Sequence, residues 1–391
     1  MAEPRTTDFT RWAESMVEPL RTRALEAEQR RELHAETVEE AADAGFFRAL
    51  MPTELGGAGA GIVAVNEATR TLAHGDVSSA WTLSFITLHN WFIARGSQEL
   101  QAAVFGDRGE ARIPCPLAPG GSARPVNGGF VVNGRWEWAT GVQHADWVMV
   151  HALVEQPGPL QTRFVLARIG DVAVDEVWHT SGMRATGSNT VEFDEVFVPT
   201  ACTFTGDEFR STDPAGAAHS DDPFLRYPVT PVLCLTAAAP ALGGAEAAVE
   251  LLRRQQESRV LAYSMGQKQV DQPAAQMRLA AALANVRAAR LVWRDALDQL
   301  VAAADRGEVD DPAWRGSIRL AAAQTVRLSI QTVEIVLEGA GASVHFEDSQ
   351  LQRIARDLQT LRGHVVFDWD RTTQLAGKLE LGFEPGPADM L

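Results

Sequence analysis

PVNGGFVVNGRWEWATG, residues 125–141, marks a change of texture in a 391-residue chain that is otherwise helical in pattern. Its Val, Phe and Trp runs, punctuated by Asn and Gly, have the composition of strands and turns. The same texture continues through HADWVMVHALV (144–154), TRFVLARI (162–169) and NTVEFDEVFVP (189–199). From about Ala111 to Thr205 it predicts an antiparallel sheet or small barrel.

On either side the pattern is helical. Residues 11–50 place apolar side chains at threes and fours among charges, up to the loop MPTELGGAGAG (51–61). SSAWTLSFITLHNWFIARG (78–96) is nearly apolar all round, which predicts a buried helix. After the polar stretch GDEFRSTDPAGAAHSDDPFLR (206–226) come four long Ala-, Leu- and Arg-rich runs, at 235–260, 273–304, 316–339 and 349–377. The expected domains are therefore an N-terminal helical unit (1–110), a middle β unit (111–205), a linker (206–229) and a C-terminal helical bundle (230–391).

Composition narrows the function classes. A chain with 46% hydrophobic residues can bury a large core, and its net charge of −16 repels nucleic-acid phosphates and anionic lipid surfaces. Nucleic-acid and membrane partners are not expected. The N-terminus MAEPRTTDFTRWAESMVEPL has no basic start followed by an apolar stretch, and no apolar run is read as approaching the ~20 residues that span a bilayer. A cytoplasmic protein is the expectation. Cys115, Cys202 and Cys234 lack paired spacing, no histidines fall in HxxxH or HExxH, and neither glycine-rich nucleotide motif occurs, so no disulfide, metal, Rossmann or P-loop site is predicted.

Four separated stretches, LMPTELGGAG (50–59), GRWEWATGVQHADW (134–147), VWHTSGMRATGSNTVEFDEVFVP (177–199) and LQRIARDLQTLRGHVVFDWD (351–370), carry a resemblance to the acyl-CoA dehydrogenase superfamily over nearly the whole chain. The resemblance implies a helical domain, an antiparallel β barrel or sandwich and a four-helix bundle. It also implies a homotetramer with flavin at a subunit boundary. A dehydrogenase needs a carboxylate base, yet the two slots for one fall at Val365 and Leu233, which accept no proton. A slip of register would bring in Asp368 or Asp370.

The details are instead similar to the two-component, reduced-flavin-dependent monooxygenase branch. That branch implies a separate reductase supplying reduced flavin (FAD, with FMN possible), dioxygen as co-substrate, and oxygen transfer from a flavin C4a-hydroperoxide to an aromatic or indole-like polycyclic molecule. N-hydroxylation of an amine or amino sugar, and a non-catalytic flavin-binding scaffold, are the alternatives. By motif, Thr140 falls where a hydroxyl bonds flavin N5, although a strand threonine needs no such role. Trp138 and Trp178 fall where aromatics wall the flavin ring; Ser181, Thr186 and Ser188 fall along its diphosphate or edge, or are turn residues. Arg259 resembles an arginine that reaches the flavin phosphate across a subunit interface, or is a solvated helix arginine. Gly339 and Gly341 sit in the glycine-rich break before the last helix. His89 and His364 match two histidines that face the substrate hydroxyl, with His364 expected to accept its hydrogen bond from the final helix. Cys115 lies where some phenol hydroxylases place a substrate-contacting serine. A histidine such as His364 on an apolar face is otherwise a satisfied core residue.

Overall fold

The computed structural model describes residues 8–386, 389 and 391. Residues 1–7, part of the stretch read for a leader, lie outside them. Five helices come first: α1 (Phe9–Arg30), α2 (Ala35–Asp43), α3 (Gly61–Leu72), α4 (Val77–Ala94) and α5 (Gln98–Phe105). Asp76 caps α4 by accepting the Ser79 amide and hydroxyl, and every residue of that helix is buried. A helix with no polar face has to be central, and α4 packs against α3 and the later helices.

Seven strands follow: β1 (Ser122–Val126), β2 (Gly129–Ala139), β3 (Trp147–Val154), β4 (Thr162–Arg168), β5 (Ala173–Asp175), β6 (Asn189–Pro199) and β7 (Thr203–Thr205). They form one sheet in the order β5-β6-β2-β1-β3-β4-β7. The sheet is mixed: β1 lies parallel to β3, while the other pairs are antiparallel. A wholly antiparallel sheet is thus corrected at one junction, because the chain leaves β2 through the 140–146 crossover and returns beside β1.

The polar stretch 206–226 is ordered rather than a bare linker. It holds α6 (Gly206–Arg210) and two short 3-10 turns, and the buried Arg95 ties it down through the carbonyls of Ser211, Leu225 and Tyr227. The C-terminal helices are α7 (Val229–Ser258), α8 (Pro273–Arg306), α9 (Pro312–Ala340), α10 (Gln350–Leu361) and α11 (Trp369–Glu380). Pro at the first position opens α8 and α9.

Two expectations change here. α7 is long and apolar enough to cross a membrane by length and composition, contrary to the reading of the sequence, but nearly all of its apolar window is buried among the other helices. The run 349–377 is not one helix. Arg362 and Gly363 break it after Leu361, a 3-10 turn covers Val365–Phe367, and Asp368 restarts it by accepting the Arg371 amide. His364 therefore stands in the break, and Arg319 of α9 holds that turn by donating to the Val365 carbonyl at 3.2 Å.

Candidate active site

Helix α4 is the spine of the candidate site. Ser78 faces Met183 and Asp357, Trp81 meets the His364 ring edge-on at 5.2 Å, and Thr82 approaches Gly141. Phe85 stacks on Trp81 at 4.4 Å and meets His89 at 5.6 Å. The helical spacing 81, 85, 89 thus builds an aromatic ladder with a histidine at each end. The ladder continues from His89 to Phe92 and Phe209, which brings in the 206–226 segment.

The two histidines differ in what they offer. His89 is buried, and its Nδ1–H donates to the Ile113 carbonyl at 2.5 Å. Its Nε2 is then a lone-pair acceptor, and that atom is enclosed without a partner. His364 is half-buried, and its Nδ1 accepts the Val366 amide over a long 3.4 Å, so the neutral ring carries its proton on Nε2. In this arrangement His364 presents an N–H, and the enclosed lone pair stands on His89. Burial pulls both rings down to about 4, so both are neutral near pH 7.

Cys115 lies on the extended segment bound by His89. Asn90 pairs with the Ala111 peptide, Met149 donates to the Pro114 carbonyl, and His151 bonds the Leu117 carbonyl. The thiol is buried, and burial drives its pKa upward, so it is a neutral wall and no nucleophile.

A second group of predicted residues comes together beside the first. Thr140, Ser188 and Thr186 form a hydroxyl row with oxygens 2.9 and 2.7 Å apart, and Thr186 donates to the Met183 carbonyl. Trp178 donates its indole N–H to that same carbonyl at 2.9 Å. Trp138 sits in a β-bulge of β2 at φ +68 and is 57% exposed, beside the row. Ser181 is exposed, and its contribution is a carbonyl that accepts from Arg356. Gly187, at φ +50, allows the close turn because a Cβ there would lie 2.3 Å from the Gln143 side chain.

Arg259, Gly339 and Gly341 form a separate cluster. Arg259 donates to the Ala340 carbonyl at the end of α9, Gln269 donates to that of Gly339, and Gly341 at φ +72 leaves room for the guanidinium. Neither slot for a dehydrogenase base holds a carboxylate: Val365 is partly exposed, Leu233 is buried, and Asp368 is committed as the cap of α11.

The sequence reading missed Asp357 and Met183. Asp357 occupies a buried position in the 354, 357, 358, 361 register of α10, and a carboxylate on an otherwise apolar face was the visible signal.

Comparison with known proteins places this geometry. Residues 7–106 match the family described as Acyl-CoA dehydrogenase, N-terminal domain, and residues 235–369 match Acyl-CoA dehydrogenase, C-terminal domain. The chain is 32% identical over 377 residues to the flavin-dependent monooxygenase, oxygenase subunit HsaA, of Rhodococcus jostii, covering 94% of this chain and 97% of that protein. This chain belongs to that family of oxygenase subunits. The crystal structure of 3-HSA hydroxylase from Rhodococcus sp. RHA1 superposes with a TM-score of 0.91 at 30% identity, covering 97% of this chain and 98% of that one. The oxygenase component of p-hydroxyphenylacetate 3-hydroxylase from Acinetobacter baumannii is 26% identical, covering 93% of this chain and 86% of its own length.

The oxygenase subunit is a flavin-dependent enzyme, and its residues fit the cofactor. The exposed Trp138 indole offers a π face, and the hydroxyl row, whose three protons run inward to the Met183 carbonyl, leaves the Thr140 lone pairs as an acceptor for an edge N–H of an aromatic heterocycle.

Proposed function

We propose that this oxygenase subunit hydroxylates an aromatic or indole-like polycyclic small molecule, using reduced FAD delivered by a separate reductase. The carrying observation is the enclosed, unpartnered Nε2 of His89 at the end of an aromatic ladder. That pairing suits a flat ring bearing one O–H or N–H. Reduced flavin, when bound, supplies the electrons that place one oxygen atom of O2 on the substrate and release the other as water.

In this reading the chain's own residues bind, orient and hold a proton. Trp138 and Trp178 would hold the flavin ring, and the Thr140 hydroxyl would accept a hydrogen bond from it. Phe85 and Trp81 wall the substrate with Cys115, and His364 presents Nε2–H from the opposite end. His89 accepts the hydrogen bond of the substrate O–H. Complete proton transfer before reaction is uphill, since a phenol near pKa 10 facing an imidazole near 4 differs by about six units, or about 8 kcal/mol. His89 therefore draws charge onto the ring through a hydrogen bond, and the proton passes to Nε2 only as the ring is oxidised.

Arg259, Gly339 and Gly341 hold the dinucleotide half of FAD across a boundary between subunits of a homotetramer. Supporting this, Tyr263, Met265, Met277 and Leu291 expose apolar surface on and near the same part of the chain. Light scattering on the purified protein tests the tetramer.

The functional test supplies reduced FAD and 18O-labelled O2 with phenols and indoles, and follows labelled product by mass spectrometry. Labelled hydroxylated product, lost in His89→Ala, is the expected result. Oxidation of flavin with no labelled product from any aromatic would overturn the reading.

A further inference from the structure

We propose that Asp357 is a positioning residue for the oxygenation reaction: through the Met183 peptide it fixes Trp178 and the Thr186–Ser188–Thr140 hydroxyl row. This rests on the functional reading above for its consequence, though not for its geometry.

The Met183 amide donates to Asp357 Oδ1 at 2.5 Å, and Ser78 of α4 lies 3.5 Å from the other oxygen. The carbonyl of Met183 accepts two bonds, from the Trp178 indole and from the Thr186 hydroxyl, both at 2.9 Å. One residue thus receives an instruction from α10 at its N–H and passes it on at its C=O. The row then runs from Thr186 to Ser188 and Thr140, and the Gly141 amide returns to the Thr186 carbonyl at 2.8 Å.

Met183 needs such a clamp. It is a buried non-glycine residue at φ +53, a conformation that persists only where surrounding contacts impose it. Gly182 brings the segment against α10, because a Cβ there would lie 2.1 Å from the Arg356 carbonyl oxygen. Arg356 adds a second tie by donating to the Ser181 carbonyl and pairing with Glu28.

The clamp uses the Asp357 carboxyl as a hydrogen-bond acceptor. Burial, then the nearby Asp76, raise the Asp357 carboxyl well above the usual range; the Met183 amide opposes the rise, Glu28 adds to it and Arg353 opposes it. With or without its proton the carboxyl accepts the Met183 N–H, and asparagine reproduces that acceptor at the same reach.

Hydrogen exchange on the flavin-free protein tests the clamp without any turnover. In Asp357→Leu, amides of segment 179–190 should exchange about tenfold faster or more, the size expected when a buried donor loses its acceptor. Asp357→Asn should exchange as the unaltered protein does. With reduced flavin and a hydroxylated substrate, Asp357→Leu should give less product per O2 consumed, with the remainder released as peroxide, and Asp357→Asn should not. If Asp357→Leu fails to fold, Thr186→Val cuts the same row with Asp357 intact and should lower product per O2 likewise. Unchanged exchange in Asp357→Leu overturns the proposal, as does loss in Asp357→Asn equal to that in the leucine variant, or an unchanged product yield in Thr186→Val. Failure of the unaltered protein to hydroxylate any aromatic would instead strike the functional reading, and the exchange result would stand apart from it.

Discussion

His89 donates its Nδ1–H to the Ile113 carbonyl, and that bond fixes the ring's tautomer and, with the bonds from Asn90, Met149 and His151, the path of the segment that carries Cys115. A neutral imidazole has one donor and one acceptor, so spending the donor on backbone leaves Nε2 as a committed acceptor. His89→Ala removes it. Hydroxylation should fall by about a hundredfold or more, the usual range for a positioned proton acceptor, while flavin oxidation by O2 continues. Product and O2 uptake measured together check this; equal loss of both would sink the assignment.

The depressed pKa of His89 makes a stability prediction with a definite sign. In the unfolded chain the ring titrates near 6.5, and in the fold near 4, because burial disfavours the cation. Between those values the unfolded state binds the proton and the native state does not, so stability is full above about 6.5 and is lost as pH falls toward 4. The two and a half units correspond to about 3 kcal/mol at most. Urea midpoints at pH 7 and 4.5 should show this drop, and His89→Gln should lessen it by the His89 share, leaving the part that His364 contributes. A variant as acid-sensitive as the unaltered protein would refute the cause.

Much of this architecture was legible in residues 125–141 and in the apolar run 78–96, because strand composition and an all-apolar helix are local signals. The break at His364 was not, since 349–377 keeps helical spacing on both sides and only Gly363 with the Asp368 cap interrupts it. The meeting of Thr140 with Ser188 depends on pairing β2 to β6, which no local pattern states. The division of labour between His89 and His364 was out of reach for the same reason: tautomers are set by partners such as Ile113, remote in sequence.

Arg95 gives a third prediction. Its guanidinium is buried, lies 4.8 Å from the Trp91 ring centre, and bonds four carbonyls of the 206–227 segment, those of Phe209, Ser211, Leu225 and Tyr227. Burial lowers it to about 9, so it stays charged at neutral pH. The planar fork reaches carbonyls in several directions, which lysine cannot do. Arg95→Met and Arg95→Lys should both speed proteolytic cleavage within 206–226, with the rest of the chain intact. Since Phe209 of this segment packs on Phe92 beside His89, substrate KM should rise more than kcat falls. Unaltered cleavage in Arg95→Met would show that the segment is held by its aromatic packing alone.

Trp138 sets stability against function. A bulky side chain at φ +68 is strained by about 1–3 kcal/mol, and with 57% of its surface exposed it recovers little of that by burial. An indole held exposed beside the hydroxyl row is the surface that a planar ligand would cover. Asparagine adopts the left-handed conformation with less strain than tryptophan. Trp138→Asn should therefore raise the flavin-free melting temperature by a few degrees. Loss of the indole face should at the same time weaken reduced-flavin binding by about tenfold, the scale of one aromatic stacking contact. Calorimetry of the flavin-free protein and anaerobic titration with reduced FAD measure the two effects separately. A variant that is less stable and binds flavin normally would show that Trp138 serves the fold; the opposite pair of changes assigns it to the cofactor.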